Sequence, residues 1–297
     1  MDADKISADS IARPWLKTLT GLLLYVLVYY AIFREFRHVI LLIAVIVFHE
    51  CGHFLVMKAY GYKDVRMLFI PFLGAFVSGK SEGISPAQKS IMILAGPIPG
   101  IIVGVILFFI YLAKPNPLLF EGTVLFLLLN GFNLLPVIPL DGGQLLQTLY
   151  FENNVIVQIS FLLISALVVV LLSWFLHNYL LLVIVLIPIL RLRTLYSLQK
   201  LRRFMTREGI NLNRAYEDLS HDQLESIRKK MLKFYEEEDE ESLTEADNQA
   251  IRNLTKTLFK ANTAEATLRT KFFFTLIWCL GLIFPLIALL YFVSVKQ

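Results

Sequence analysis

Two histidines four positions apart, with a glutamate directly after the first, occur in the sequence His49-Glu50-Cys51-Gly52-His53. Residues i and i+4 of a helix lie on one face, so both imidazoles can reach a single Zn²⁺ ion. Glu50 then lies beside the first ligand, where its carboxylate can act as the general base that takes a proton from water. The spacing predicts a metal-dependent hydrolytic site. The alternative is a polar cluster that only packs helices together.

A catalytic zinc ion usually has a third protein ligand, and the candidate here is Asp141. It is the clear exception in apolar stretches that otherwise nearly lack acidic residues. Pro136 and Pro139 precede it, and because proline has no N–H group they break the helix and leave carbonyl groups unpaired. The glycines at 142 and 143 permit a sharp bend after the carboxylate. Asp141 is therefore predicted as the third ligand, with capping of the next segment as the alternative.

The elements that must position these residues are apolar. Hydrophobic residues make up 57% of the chain and charged residues only 18%, whereas a soluble chain has about a quarter charged residues. Several apolar runs reach the roughly 20 residues that cross the hydrocarbon core as a helix. We predict a polytopic all-α membrane protein with about seven spans, at 15–33, 38–59, 87–113, 118–135, 155–174, 178–195 and 271–293. The 155–195 block could be one tilted helix, but interfacial residues near its middle favour a hairpin.

The distribution of Lys and Arg predicts the orientation of the chain. With a cytoplasmic N-terminus, most basic residues fall on the cytoplasmic side, as the positive-inside rule requires. We expect residues 1–190 to form a membrane core with six spans, 191–270 a small cytosolic charged helical insert, and 271–297 a C-terminal transmembrane helix. The expected location is a bacterial-type inner membrane.

The cytosolic insert has helical signals and a strong charge pattern. Ser220–Gln223 resembles a capping box at a helix start, and apolar residues then recur at helical spacing. Glu236–Glu241 is an uninterrupted acidic run, which is a solvated helix end in the simpler interpretation and an acidic docking site in the other. Binding of a cytosolic regulator at 191–270 stays open. We find no basic-aromatic surface in the sequence that would indicate nucleic-acid binding.

These residues resemble the site-2 proteases, the intramembrane zinc metalloproteases of peptidase family M50. His49–His53 matches the family's H-E-x-x-H motif. Asn133, Pro136, Asp141 and Gly142 match its N-x-x-P-x-x-x-x-D-G element. The motifs are separate in the chain, and both fall on the residues singled out above.

The resemblance implies one Zn²⁺ per chain, held by His49, His53 and Asp141, with Glu50 as the catalytic residue. It also implies that substrate is held, or its oxyanion stabilised, by Asn133, Pro136 and Pro139. The implied activity is hydrolysis of peptide bonds within or near transmembrane segments of membrane proteins, in regulated intramembrane proteolysis. The implied partners are a transmembrane protein substrate and the lipid bilayer.

Two weaker matches accompany these motifs. Phe69–Val77 resembles the family's membrane-associated β-hairpin, with Gly74 kept and Ala75 in place of a second glycine. A strand edge there could pair with an unwound substrate segment, which makes Gly74 a candidate substrate contact. Ala95–Pro97 resembles the A-G-P of the third span, and Gly100 stands where many members have asparagine.

Two functions of other classes remain as alternatives. A divalent-metal transporter would also need buried histidines and a carboxylate, but it predicts polar residues along several spans, whereas here they gather at one depth. An inactive protease relative that acts as a membrane binding scaffold is the other, although all four catalytic positions are intact. The zinc endopeptidase is the function that the motifs favour.

Overall fold

The computed structural model describes residues 14–70, 74–80, 84–151, 155–175, 177, 179–212, 216–237, 248–259 and 266–295. The fold is mostly helical with one small antiparallel sheet, as the sequence predicted. Five helical stretches of the described residues are long and apolar enough to cross a membrane, one of them Pro86–Ala113, which consists of two consecutive helices. The chain is therefore an integral membrane protein. Two further apolar helices, Thr18–Ile32 and Pro117–Asn133, are shorter than a full span.

The described part of the chain contains eleven helices and two strands of regular structure, together with short 3₁₀ and π-helical turns. In chain order they are α1 Pro14–Phe33, α2 Phe36–Ala59, β1 Lys63–Ile70, β2 Gly74–Lys80, α3 Pro86–Leu94, α4 Pro97–Ala113, α5 Pro117–Asn133, α6 Asp141–Leu146, α7 Val155–Phe175, α8 Leu182–Arg207, α9 His221–Glu237, α10 Asn248–Leu258 and α11 Leu268–Val295.

Two predicted spans differ in detail from the observed helices. The span at 87–113 is divided into α3 and α4 at Ala95–Gly96, directly before Pro97, which lacks an N–H group. The 155–195 block is two helices, as the hairpin interpretation predicted, with α7 ending at Phe175 and α8 beginning at Leu182. α8 also continues well past the predicted end at 195, since no glycine or proline follows Pro188 before Arg207.

The predicted hairpin is an antiparallel pair that is longer than the 69–77 segment. Phe69 pairs with Ala75 and Ile70 with Gly74, and the pairing extends back to Lys63 and Lys80. Gly74 has a φ of +96°, a conformation that favours glycine, at the point where the chain enters β2. Residues 71–73, at the tip of the predicted hairpin, lie outside the described residues.

The chain forms two compact units, residues 1–186 with 266–297, and residues 187–265. In the first, which we call the membrane unit, α4 and α5 pack closely because a Cβ atom at Gly104 would lie only 2.7 Å from Leu127 Cδ2. The second, the charged unit, has its own core built from α8, α9 and α10, including Leu201, Met231 and Leu258. The helical spacing of apolar residues after Ser220 predicted the α9 side of this core.

Candidate metal centre

The helix that carries the two histidines ends just beyond them, at Ala59. Gly61 follows with a φ of +74°, and Tyr62 N donates to Met57 O at 3.0 Å. This is the glycine-terminated helix end that lets the last carbonyl groups find donors. His49, Glu50 and His53 therefore lie in regular helix, and the imidazoles project from one face.

His49, His53 and Asp141 converge through one atom each. The two histidine Nε2 atoms are 3.2 Å apart. Asp141 Oδ2 lies 3.2 Å from His49 Nε2 and 3.4 Å from His53 Nε2. Both His49 and Asp141 are at least nine-tenths buried. The structure thus joins residues that are almost ninety positions apart in the chain.

The other ring nitrogens determine which atom of each imidazole faces this point. His53 Nδ1 is 2.8 Å from Met92 O, one of the last carbonyls of α3. A carbonyl only accepts, so Nδ1 carries the proton and Nε2 presents a lone pair. His49 Nδ1 is 2.8 Å from Asn130 Oδ1, and Asn130 Nδ2 donates to Phe126 O at 2.7 Å. The second bond turns Oδ1 of the amide towards His49. His49 therefore also carries its proton on Nδ1 and presents the lone pair of Nε2.

This arrangement fits a zinc ion. Two imidazole lone pairs and a carboxylate oxygen, all within 4.8 Å of one another, repel unless a cation lies between them. Within the described residues, the buried Asp141 Oδ2 accepts no hydrogen bond. Two nitrogen ligands and one carboxylate form a donor set that Zn²⁺ accepts in catalytic sites, with a fourth position left open. His49, His53 and Asp141 would hold the metal.

Asp141 reaches this point through an irregular segment between α5 and α6, as the prolines predicted. The backbone groups of this segment have partners from elsewhere in the membrane unit. Trp278 Nε1 donates to Leu134 O at 2.7 Å, and Ile138 N donates to Ser165 Oγ at 3.2 Å. Gln144 Nε2 donates to Pro139 O at 2.9 Å. Protein therefore covers part of the broken backbone, as the apolar surroundings require.

The glycines after Asp141 serve close packing. Of the described glycines, only Gly61, Gly74 and Gly209 have a positive φ, so Gly142 does not supply the bend that the sequence suggested. A Cβ atom at Gly142 would instead collide with Leu134 O, which is backbone and cannot move aside. Glycine is needed because α6 packs directly on the segment that precedes it.

Glu50 lies next to His49 in the chain, on α2, and is 6% exposed. Its Oε2 atom has no hydrogen-bond partner among the described residues. A buried carboxylate oxygen without a partner is costly, so its presence beside two metal-ligand candidates indicates a chemical role. The carboxylate is available to accept a proton from a molecule that enters the site.

The residues suggested for substrate binding lie in three parts of the chain. Asn133 ends α5, is half-buried, and donates from its side-chain amide to Leu129 O at 3.0 Å. Pro136 is exposed and Pro139 half-buried on the segment that leads to Asp141. Gly74 lies on the hairpin, at the first position of β2.

Sequence reasoning missed the groups that orient the histidines. Asn130 is fully buried, and the signal that could have found it was an amide inside an apolar helix, which must find a partner there. Its partner, His49, could not be read from the chain, because the contact depends on how α5 packs on α2. A Cβ atom at Gly100 would collide with the Asn130 carboxamide, so that glycine makes room for the residue holding His49.

Comparison with known proteins finds similarity to peptidases. Residues 37–124 match Peptidase family M50. A zinc metalloprotease of Methanocaldococcus jannaschii is 37% identical over 116 residues, which are 37% of this chain and 33% of the relative. A protein of Synechocystis sp., provisionally named a zinc metalloprotease, is 30% identical over 118 residues, which are 38% of this chain and 31% of the relative. The chain spans about a third of the length of these curated relatives.

A solved structure, the site-2 protease from Methanocaldococcus jannaschii, is also similar, with 25% identity, a TM-score of 0.41, and coverage of 58% of this chain and 84% of that one. The family match contains the segment with His49, Glu50 and His53 and ends before Asp141. The case for Asp141 as a ligand therefore depends on the geometry described above.

Proposed function

Since residues 37–124 match Peptidase family M50, we propose that this protein is an intramembrane zinc endopeptidase. It hydrolyses peptide bonds within or near the transmembrane segments of other membrane proteins, in regulated proteolysis. The observation that carries the proposal is the convergence of His49 Nε2, His53 Nε2 and Asp141 Oδ2 beside a carboxylate oxygen of Glu50 that has no partner among the described residues. The divalent-metal transporter and the inactive scaffold use the same three ligands but need no such carboxylate.

The chemistry divides between the metal and Glu50. When bound, Zn²⁺ supplies a Lewis acid that polarises a carbonyl and makes water a better nucleophile near neutral pH. Glu50 Oε2 accepts a proton as the water oxygen bonds to the scissile carbonyl carbon. Glu50 then delivers that proton to the amine nitrogen as the carbon–nitrogen bond breaks. Asn133, Pro136 and Pro139 lie on the segment that leads into Asp141, and we assign them to holding the substrate backbone or its oxyanion.

The hairpin offers one edge to a substrate segment. α1 covers the outer edge of β1: Thr18 Oγ1 donates to Met67 O at 2.7 Å, and a Cβ atom at Gly21 would lie 2.9 Å from Phe69 O. Because Met67 pairs with Val77, the backbone groups of Val77 also point away from the sheet, along the outer edge of β2. A third strand would therefore add along β2, beginning near Gly74.

The membrane topology is part of the proposal. We assign seven spans, with α1 and α5 completing the five long apolar helices, and a cytoplasmic N-terminus in a bacterial-type inner membrane. His53 lies six residues before the end of α2, so the metal lies about 9 Å from its cytoplasmic end. Region 191–270 is cytosolic in this topology and is where a regulator would bind.

Cleavage of membrane proteins in cells tests the proposal. Wild type and Glu50→Ala are each co-expressed with a panel of tagged single-span membrane proteins, and the tags are followed by immunoblot. We expect at least one partner to be cut by wild type and to accumulate uncut with Glu50→Ala. Zinc flux in liposomes by the purified wild-type protein, with no partner cut, would favour the transporter and contradict the protease.

A further inference from the structure

The charged unit contains a pocket on α8 that the proposed protease chemistry does not use. Its volume is about 210 Å³. Cations and aromatic rings make up most of its lining: Tyr196, Lys200, Arg203, Phe204, Arg207 and Phe234. No carboxylate is among the lining residues that the structure describes. The pocket therefore combines positive charge with ring surfaces, which suits an anion that has an organic body.

The cations of the pocket share one face of a single helix. Lys200, Arg203 and Arg207 are spaced i, i+3 and i+7, so their side chains project in the same direction from α8. Arg203, Arg207 and Tyr196 are exposed. The opposite face of the helix carries Leu201 and Met205, which are buried in the core of the charged unit. The helix is thus held by its apolar face, while Arg203 and Arg207 on the cationic face are exposed.

The first half of α8 indicates what this face meets. From Leu182 to Leu190 the helix is apolar and mostly exposed, as expected of a helix in contact with lipid. The second half, residues 191–207, has six Lys and Arg residues and no acidic residue. A cluster of four to eight cations directly after a transmembrane helix is typical of binding to anionic phospholipids.

The distances along the helix agree with the thickness of the headgroup layer. Tyr196 is 65% exposed and lies where an aromatic side chain marks the membrane interface. Lys200 is four residues further and Arg203 seven, which is about 6 Å and about 10 Å along the axis. The headgroup layer is roughly 5–8 Å thick on each side of the bilayer, and both side chains are long enough to reach back into it.

From this geometry we infer that the α8 pocket binds the headgroup of an anionic phospholipid, with the phosphodiester on the exposed Arg203 and Arg207. A free phosphate would use the cations but leave the ring surfaces of Tyr196 and Phe204 without a contact. The acidic run Glu236–Glu241, which begins two residues after Phe234, is a competing occupant by charge alone.

Lipid retention by the full-length protein tests the inference. The chain in neutral detergent is titrated with phosphatidylglycerol or with phosphatidylcholine of the same acyl chains, and bound lipid is counted by native mass spectrometry. We expect phosphatidylglycerol to bind at least ten-fold more tightly, with an affinity that falls as salt rises. Equal affinities for the two lipids would overturn the inference.

A charge-matched pair of variants locates the site. Arg203→Gln/Arg207→Gln should bind phosphatidylglycerol about 30-fold more weakly, from the loss of two cations near an anionic headgroup. Lys229→Gln/Arg252→Gln removes the same charge from exposed positions of the charged unit that do not line the pocket, and should bind as wild type does. An equal loss in both variants would mean a diffuse charge effect and no pocket.

Two further arms identify other occupants. Inorganic phosphate that displaces phosphatidylglycerol at equal concentration would assign the site to free phosphate. If wild type retains no lipid while a variant with Glu236–Glu241 changed to Gln binds phosphatidylglycerol tightly, the chain's own acidic run is the occupant. Either result contradicts the lipid assignment, and neither affects the proposed protease activity, which is measured through Glu50.

Discussion

The two units of this protein use polar residues in opposite ways. In the membrane unit polar side chains are rare, and those of the site have specific contacts: His49 with Asn130, His53 with the Met92 carbonyl, and both with Asp141. In the charged unit polar residues are abundant, and many, such as Arg203 and Arg207, are exposed.

The difference follows from the surroundings. In an apolar medium each unpaired polar group is costly, so a polar residue persists where it has a partner or a function. At a water-exposed surface a charged residue needs neither, and single positions carry little information. Individual residues are therefore informative in the membrane unit, whereas in the charged unit only their pattern on a helix face is.

Removal of a metal ligand should have the largest effect on the metal site. Asp141→Ala deletes one of three ligands. The zinc affinity of this variant should fall by more than the roughly 10–100-fold that is typical when a group hydrogen-bonded to a ligand is lost. Zinc per chain after dialysis against a weak chelator measures this, with helix content by circular dichroism as the check on folding. Asp222→Ala, an exposed acid at the start of α9, is the control and should keep its zinc. Tightly held zinc in Asp141→Ala would place the third ligand elsewhere.

Loss of the amide that orients His49 should have a smaller effect. Asn130→Ala removes the acceptor for His49 Nδ1 and should weaken zinc binding about 10–100-fold. Asn133→Ala is the matched control, because both amides donate to the carbonyl four residues earlier but only Asn130 touches His49. Asn133→Ala should keep its zinc affinity.

An exchange of positions sharpens this test. Gly100 lies directly against the Asn130 carboxamide, so Gly100→Asn combined with Asn130→Gly places an amide in nearly the same volume. The exchange should recover part of the zinc affinity that Asn130→Ala loses. Zinc affinity equal to wild type in Asn130→Ala would show that the amide does not orient the ligand.

A packing change near the site should weaken it indirectly. Gly142→Ala forces α6 away from Leu134 and should destabilise the membrane unit by about 1–3 kcal/mol. At Gly122 the nearest atom to an added Cβ is 3.6 Å away, so Gly122→Ala should be neutral or stabilise the helix by about 0.5–1 kcal/mol. Thermal unfolding in detergent compares the two, and equal shifts would contradict the close approach at Gly142.

A core change in the charged unit should have the smallest effect on the metal. Met231 is fully buried there, so Met231→Ala should cost about 2–5 kcal/mol of local stability. Hydrogen exchange along α9 measures that loss, and the zinc affinity should not change because the described ligand contacts all lie in the membrane unit. A parallel fall in zinc affinity would contradict the view that the metal site is independent of the core of the charged unit.

The sequence predicted what depends on local spacing. The positions of His49 and His53 on one helix face and the capping box at Ser220 both follow from a few consecutive residues. The capping box is present, with Ser220 N donating to Gln223 Oε1 at 3.1 Å and Gln223 N donating to Ser220 Oγ at 3.3 Å.

What the sequence could not predict depends on contacts between distant segments. The contact of Asn130 with His49 is decided by how α5 packs on α2, with Gly100 leaving room for the carboxamide. The support for Leu134 comes from Trp278 on α11. Asp141 is intermediate: the scarcity of intramembrane acids singled it out, but its distance to the histidines is a property of the packed helices.

The central claim is that Glu50 performs the proton transfer at a zinc ion held by His49, His53 and Asp141. Zinc content and substrate cleavage measured side by side on purified wild type and Glu50→Gln test it most directly. We expect one zinc per chain in both proteins and a cleavage rate at least 100-fold lower in Glu50→Gln, as for loss of a general base. Cleavage by Glu50→Gln at the wild-type rate, with zinc bound, would contradict the account.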